Sequence, residues 1–192
     1  METKHHYFFA VKLPKEMKDF LNGWIQSNQR DYEFGRWVHP EDYHITLAFL
    51  GYAEEKKLQD AIETMSSVLS DLSSFSLTLD KLGIFGPMKS PRIFWAGVVE
   101  SEPLAEVQKK VFTQCLKLGF ELDKKPFRPH ITLARKYKGE RFFNSEKLKS
   151  IRTEDHQTFE FEVSEVILYE THLDQSPKYK EFARFPLNAK NT

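Results

Sequence analysis

Apolar positions alternate with a period of two in some stretches of this chain and recur every three or four residues in others, and the two rhythms take turns. Residues 7–13 predict a strand closed by Pro14. A helix over 15–29 follows, with Lys15 and Glu16 in its first turn and Met17, Phe20, Leu21, Trp24 and Ile25 as its buried stripe. Residues 28–35 are polar and turn-rich, and Pro40, Glu41 and Asp42 set the turn before a strand that ends at Gly51. A second helix is predicted over 54–72, with Leu58, Ile62, Met65, Val68 and Leu69 on one side. Residues 75–85 and 92–99 read as an antiparallel hairpin across Gly86, Pro87, Lys89, Ser90 and Pro91. The third helix, 102–118, has Pro103 in its first turn, an inner stripe of Leu104, Val107, Val111, Phe112 and Leu116, and Gly119 as its C-terminal cap. Pro126 and Pro129 stiffen the approach to another strand starting at His130. Beyond it the spacing predicts a basic exposed loop over 135–141, a short helix over 145–151, one long strand over 159–169 and a final strand over 179–187 paired with it.

The strands at 44 and 130 open on the same five letters, His44-Ile45-Thr46-Leu47-Ala48 and His130-Ile131-Thr132-Leu133-Ala134. At average composition such a repeat arises by accident on the order of once in a hundred chains of this length. Side chains alternate faces on a strand, so each His shares a face with the Thr two residues on, while Ile and Leu point into the core. One helix precedes each His strand. This rough duplication predicts an α+β fold of two similar lobes, each an antiparallel sheet backed by helices, with a central cleft between them. No linker rich in Gly, Ser or Pro divides the chain, so a single bilobal domain over 1–192 is expected.

With 40% apolar residues in 192, the chain has enough material for a core. Lys plus Arg equals Asp plus Glu at 28 each, so no global field draws it to nucleic acid or to an anionic membrane. Cys115 is the only cysteine, which excludes an internal disulfide and a multi-cysteine zinc site; its mid-helix, polar-flanked place reads as an inert thiol. No signal peptide or membrane-length apolar run is seen, and a cytoplasmic monomer with no membrane partner is expected.

Two imidazoles facing one cleft suit phosphoryl transfer without a metal. One, neutral, takes a proton from the nucleophile, and the other, charged, gives a proton to the leaving oxygen. The hydroxyls of Thr46 and Thr132 can donate to the non-bridging oxygens. No metal site is expected, because His5, His6, His39, His156 and His172 show no ligand spacing. No phosphate-binding Gly-rich loop and no Gly-x-Ser-x-Gly elbow occurs. Arg128, Arg135, Lys136, Lys138 and Arg141 form a local basic patch, read as phosphate-binding or as a solvated loop. Arg135 falls on the face opposite His130 and Thr132 unless the strand bends or ends there. Trp37, Phe49, Tyr52 and Phe127 flank the repeats as possible stacking surfaces for a base.

The paired motifs, with Phe49-Leu50-Gly51 after the first and Phe127-Arg128-Pro129 before the second, resemble the 2H phosphoesterases, and within them the RNA 2',3'-cyclic phosphodiesterases described as 2'-5' RNA ligase-like proteins. The likeness spans nearly the whole chain, including Phe8-Phe9-Ala10-Val11-Lys12-Leu13-Pro14. It implies a bilobal fold and metal-independent hydrolysis of RNA 2',3'-cyclic phosphate ends to 2'-phosphates, with no cofactor. By carry-over His44 is the proton donor, His130 the proton acceptor, Thr46 and Thr132 hold the phosphate, and Arg135, Arg128, Phe49 and Phe127 are the candidate substrate-binding residues. The sequence alone does not order the two His roles. Many relatives carry a basic residue directly after the first motif, where Ala48 stands here. The partners implied are RNA ends or small cyclic nucleotide phosphates. Alternatives are a phosphodiesterase of another small cyclic phosphate, a 2'-5' RNA ligase, and a non-catalytic module that binds RNA ends.

Overall fold

Proline, capping groups and glycine divide the chain where its hydrophobic rhythm changes. In the computed structural model, which describes residues 4–189, Pro14 separates strand β1 (His6–Lys12) from helix α1 (Lys15–Asn28). Ser101 caps helix α3 (Glu102–Lys117) by accepting from the Leu104 N–H at 3.3 Å. Gly119 ends that helix at φ +80°, a conformation that favours glycine. Between these lie β2 (Phe34–Trp37), β3 (His44–Tyr52), α2 (Glu55–Leu69), β4 (Phe75–Phe85) and β5 (Ile93–Val98). After α3 come β6 (His130–Tyr137), β7 (Glu160–Val163), β8 (Glu165–Thr171) and β9 (Tyr179–Pro186).

The strands form an antiparallel sheet in the order β7-β4-β5-β6-β3-β1-β8-β9, with β2 also beside β6. The sheet divides at the repeats into β7-β4-β5-β6 and β3-β1-β8-β9, one continuous sheet in which each side draws strands from both halves of the sequence. The two sides meet through a single pairing, Ile45 with Ile131, so the two copies of the repeat are the seam. The main core holds Met17, Leu21 and Ile25 of α1, Leu58, Met65 and Leu69 of α2, and Leu104, Val107 and Val111 of α3, together with Ile45 and Ile131. A smaller cluster of Phe8, Ala10, Ile167 and Tyr169 lies on the other face of β1 and β8.

Four sequence-based expectations change. Residues 159–169 make two strands, not one, since β7 pairs with β4 and β8 pairs with β1 and β9. Alternation shows which side chains are buried but carries no record of a change of partner. The basic stretch from Arg135 is strand up to Tyr137, because β2, which begins within the segment read as turns, pairs Phe34 with Tyr137 and Arg36 with Arg135. The short helix near 145 is one 3-10 turn, Ser145–Lys147. In α3 the inner stripe continues through Cys115, fully buried, while Leu116 is 46% exposed. Burial pushes the Cys115 thiol up to about 12, so it stays protonated and inert.

Candidate active site

Both repeats break strand regularity at the same letter. Along β3, Phe9 faces Ala48 and the next residue, Ala10, faces Thr46, which leaves Leu47 as a bulge. Along β6, Phe94 faces Ala134 and Trp95 faces Thr132, which leaves Leu133 as a bulge. Leu47 and Ala48, like Leu133 and Ala134, are therefore buried side by side. The residue after each pair returns to the face of His and Thr. This is the irregularity that Arg135 needed: Arg135 and Phe49 line one cleft with Thr46 and His130, its volume ≈ 890 Å³. That volume is of small-ligand size. Ala48 and Ala134, directly after the two motifs, are both buried in the core, and Ala48 also borders the cleft.

Antiparallel pairing at Ile45 and Ile131 sets His44 level with Thr132 and Thr46 level with His130. The two histidines are thus diagonal neighbours across the seam, and the charge of one reaches the other. Each ring is held the same way. His44 Nδ1 lies 2.7 Å from the Asp42 carbonyl oxygen, and His130 Nδ1 lies 2.7 Å from that of Arg128. A carbonyl only accepts, so Nδ1 carries the proton in both rings and Nε2 keeps the lone pair when the ring is neutral. At His44 that lone pair faces the Thr46 hydroxyl at 3.1 Å.

Aromatic rings enclose both imidazoles. Phe8 and Tyr179 have centroids 4.8 and 5.1 Å from that of His44, and Phe85 lies edge-on to His130 at 4.8 Å. Burial, opposed by the carbonyl of Asp42 and joined by the charges of His130, Arg135 and Lys18, lowers His44 to about 4. His130 is lowered as well, first by burial and then by Arg135, against the pull of the Arg128 carbonyl.

Asp42 joins the turn before β3 to the β8–β9 connection. Its carboxylate, buried at 5% exposure, accepts from the Lys178 N–H at 2.9 Å and the Tyr179 N–H at 3.1 Å, while its carbonyl orients His44. Burial raises its carboxyl above the usual range although the Tyr179 amide, His39 and Lys18 oppose this. Lys18, itself buried, donates to the Glu41 carbonyl at 3.0 Å and holds the same turn.

Of the sequence candidates, Arg128, Phe127, Phe49 and Arg135 lie on the cleft, joined by Phe85, Arg92, Gln108, Phe112, Glu121, Asp123 and Lys125, which sequence reasoning did not single out. Trp37 packs against Phe94 and Phe34 instead, and Tyr52, 49% exposed, sits under the Lys4 ammonium. Asp42, Phe8, Tyr169 and Tyr179 also escaped notice, since no local pattern marks a residue as the neighbour of a distant imidazole. His5, Glu170 and His172 converge away from the cleft as a group of ligand-type side chains.

An antiparallel sheet whose seam carries the two His–Thr repeats side by side, with Thr46, Phe49, His130 and Arg135 on one cleft, fits the 2H phosphoesterases that the repeats resemble. Residues 17–175 match the model of the 2'-5' RNA ligase superfamily. The chain is 44% identical over 184 residues to the RNA 2',3'-cyclic phosphodiesterase of Geobacillus stearothermophilus, covering 96% of itself and 58% of that protein. It is 33% identical to the protein of the same name from Bacillus subtilis, covering 97% of itself and 99% of the relative. The E. coli LigT structure complexed with 3'-AMP superimposes with a TM-score of 0.80 at 25% identity, over 96% of this chain and 99% of that one. The chain belongs to the 2'-5' RNA ligase superfamily, and these curated relatives are named as hydrolases of phosphodiester bonds. Among the described residues no helix is long and apolar enough to cross a membrane.

Proposed function

We propose that this protein hydrolyses 2',3'-cyclic phosphate ends of RNA to 2'-phosphates by acid–base catalysis with His44 and His130 and without a metal ion. The observation that carries the reading is the matched tautomer of the two rings, each with Nδ1 donating to the carbonyl two residues earlier and Nε2 left for chemistry. The relatives' names supply the substrate.

His130 Nε2 takes a proton from water as its oxygen attacks phosphorus, and His44, protonated at Nε2, gives its proton to the departing 3'-oxygen. The P–O3' bond breaks, the new P–O bond forms, and the phosphate stays on the 2'-oxygen. Protonation at Nε2 also removes the lone pair that faced the Thr46 hydroxyl, so that hydroxyl proton is free for a phosphoryl oxygen while the Nε2 proton is directed to the leaving oxygen. Thr132 serves the matching oxygen, and the Arg135 guanidinium balances the developing charge. Substrate anion in the cleft favours the charged imidazole and so offsets the lowering by burial.

One observation favours short substrates. Glu121 and Asp123 line the cleft beside Arg128 and Lys125, so a long polyanion meets repulsion where a cyclic nucleotide or a terminal fragment does not.

The test is turnover of a 2',3'-cyclic-phosphate oligonucleotide and of a cyclic mononucleotide, with and without chelator, by the wild type, His44→Ala and His130→Ala. A 2'-phosphate product, chelator resistance and losses of roughly 10²–10⁴ in each variant are expected. Loss of activity in chelator overturns the metal-free scheme. Binding without turnover in the wild type identifies an end-binding module, and joining of a 5'-hydroxyl end without hydrolysis identifies a ligase.

A further inference from the structure

The ends of β1 and β8 bring together residues that lie far apart in sequence. The pairing of Tyr7 with Glu170 sets His5, just before β1, beside Thr171 and His172 at the end of β8. Tyr7 belongs to the main core, whereas its neighbour Phe8 belongs to the cluster that touches His44. The group around Glu170 therefore lies on the sheet face opposite the imidazole of His44.

One ligand atom each from His5, Glu170 and His172 lie within 4.8 Å of one another. The supporting contacts are of the kind that orient metal ligands. His5 Nδ1 donates to the Thr171 carbonyl oxygen at 3.0 Å, which fixes the tautomer and leaves Nε2 with its lone pair. The Tyr7 hydroxyl donates to Glu170 Oε1 at 2.8 Å, which steadies the carboxylate and leaves Oε2 for another partner. That partner is His172 Nε2, at 2.7 Å. An ordinary carboxylate–imidazole pair would be complete at this point. The second imidazole, His5, stands with its centroid 4.3 Å from that of His172, a place where two protonated rings repel. The side chains of His172 and Glu170 are only 12% and 19% exposed, so the pair is partly withdrawn from water without being sealed.

From this geometry we infer that His5, Glu170 and His172 form a site for a divalent transition-metal ion of the Zn²⁺ class, separate from the cleft, which ties the start of β1 to the β8–β9 connection. Two imidazole nitrogens and a carboxylate oxygen are a common zinc set, with water as the fourth ligand. Ligands at about 2.0–2.2 Å from zinc stand roughly 3.3–3.6 Å from one another. The widest present spacing therefore closes by about 1 Å and the His172–Glu170 contact opens by somewhat less. The ion takes the place of the hydrogen between His172 Nε2 and Glu170, and His172 binds as the neutral imidazole with its proton on Nδ1. Sequence spacing gave no hint of this set, since His5 and His172 are joined only by the sheet.

Calorimetric titration of ZnCl₂ into the metal-stripped full-length protein, together with thermal melts, tests the site. One equivalent of zinc and a rise in Tm are expected for the wild type. His6→Ala and the double variant His44→Ala/His130→Ala should keep both. His5→Ala, His172→Ala and Glu170→Gln should each weaken zinc binding at least about tenfold and abolish the rise in Tm. Failure of the wild type to bind zinc overturns the inference. So does binding that is unchanged in His5→Ala and His172→Ala, or binding that disappears in the His44→Ala/His130→Ala protein, which would place the ion in the cleft.

Discussion

Phe49 and Arg135 occupy equivalent places, each one residue beyond a copy of the repeated pentapeptide and each returned to the cleft by a bulge at the leucine before it. The repeat thus delivers three positions per copy, two of them chemically identical. The third differs, an apolar ring on one side of the cleft and a guanidinium on the other. That difference breaks the pseudo-symmetry of the site, and in the proposed reaction it would orient a cyclic nucleotide with its base toward Phe49 and its phosphate charge toward Arg135.

Arg135→Met is expected to lower kcat/KM by about 10²–10³, in the range of a lost transition-state donor. Because the Arg135 charge lowers both His44 and His130, its removal raises both imidazoles, and the bell-shaped profile of kcat/KM moves to higher pH. A pH–rate series on the two proteins checks this. A variant that loses rate with its profile unmoved would put Arg135 outside the electrostatics of the rings.

Phe49→Ala should act differently. Phe49 is 53% exposed, its ring meeting His6 edge to face, so its truncation is expected to raise KM for cyclic nucleotides by roughly five- to a hundredfold with kcat nearly unchanged, about 1–3 kcal/mol of base stacking. Steady-state kinetics separate the two parameters. A fall in kcat at constant KM would count against stacking.

The low pKa of His44 also governs stability. At about 4 in the folded chain against 6.5 for the free side chain, His44 takes up its proton more readily when unfolded. Its stabilising effect is complete above pH 6.5 and is lost as pH falls toward 4, with a slope of at most about 1.4 kcal/mol per pH unit. Urea midpoints between pH 4 and 7 should fall more steeply with acid for the wild type than for His44→Gln. Parallel curves would show that the ring is not withdrawn from water.

Asp42→Ala should reduce both stability and rate. The Lys178 and Tyr179 amides lose a buried carboxylate acceptor, at a cost of about 1–3 kcal/mol, and Tyr179 loses its anchor beside His44. The carbonyl that orients His44 survives in the variant. A loss in kcat smaller than that of His44→Ala is therefore expected, measured alongside the denaturation midpoint.

Ala48→Arg would place a basic residue directly after the first motif. Ala48 is 5% exposed and packed in the core where it borders the cleft, with no room for a guanidinium, so the outcome expected is a loss of about 3 kcal/mol or more in stability and no gain in activity. A stable, more active variant would show that this position faces substrate.

The repeated letters, their strand character and the sharing of one face by each His and Thr were legible in the sequence, because alternation on a strand is a local rule. So were the three helices, the 75–99 hairpin and the likeness to the 2H phosphoesterases. Arg135 shows the limit: parity assigns it to the wrong face, and only the pairing of Phe94 and Trp95 with Ala134 and Thr132 creates the bulge that corrects it. The break at Ser164 between β7 and β8, the β2 partner of Arg135, and the meeting of His5 with His172 are of the same kind. Each depends on which segment lies alongside. Hydrophobic rhythm fixes which way a side chain faces along its own strand, whereas register, bulges and remote neighbours follow from packing the whole chain at once.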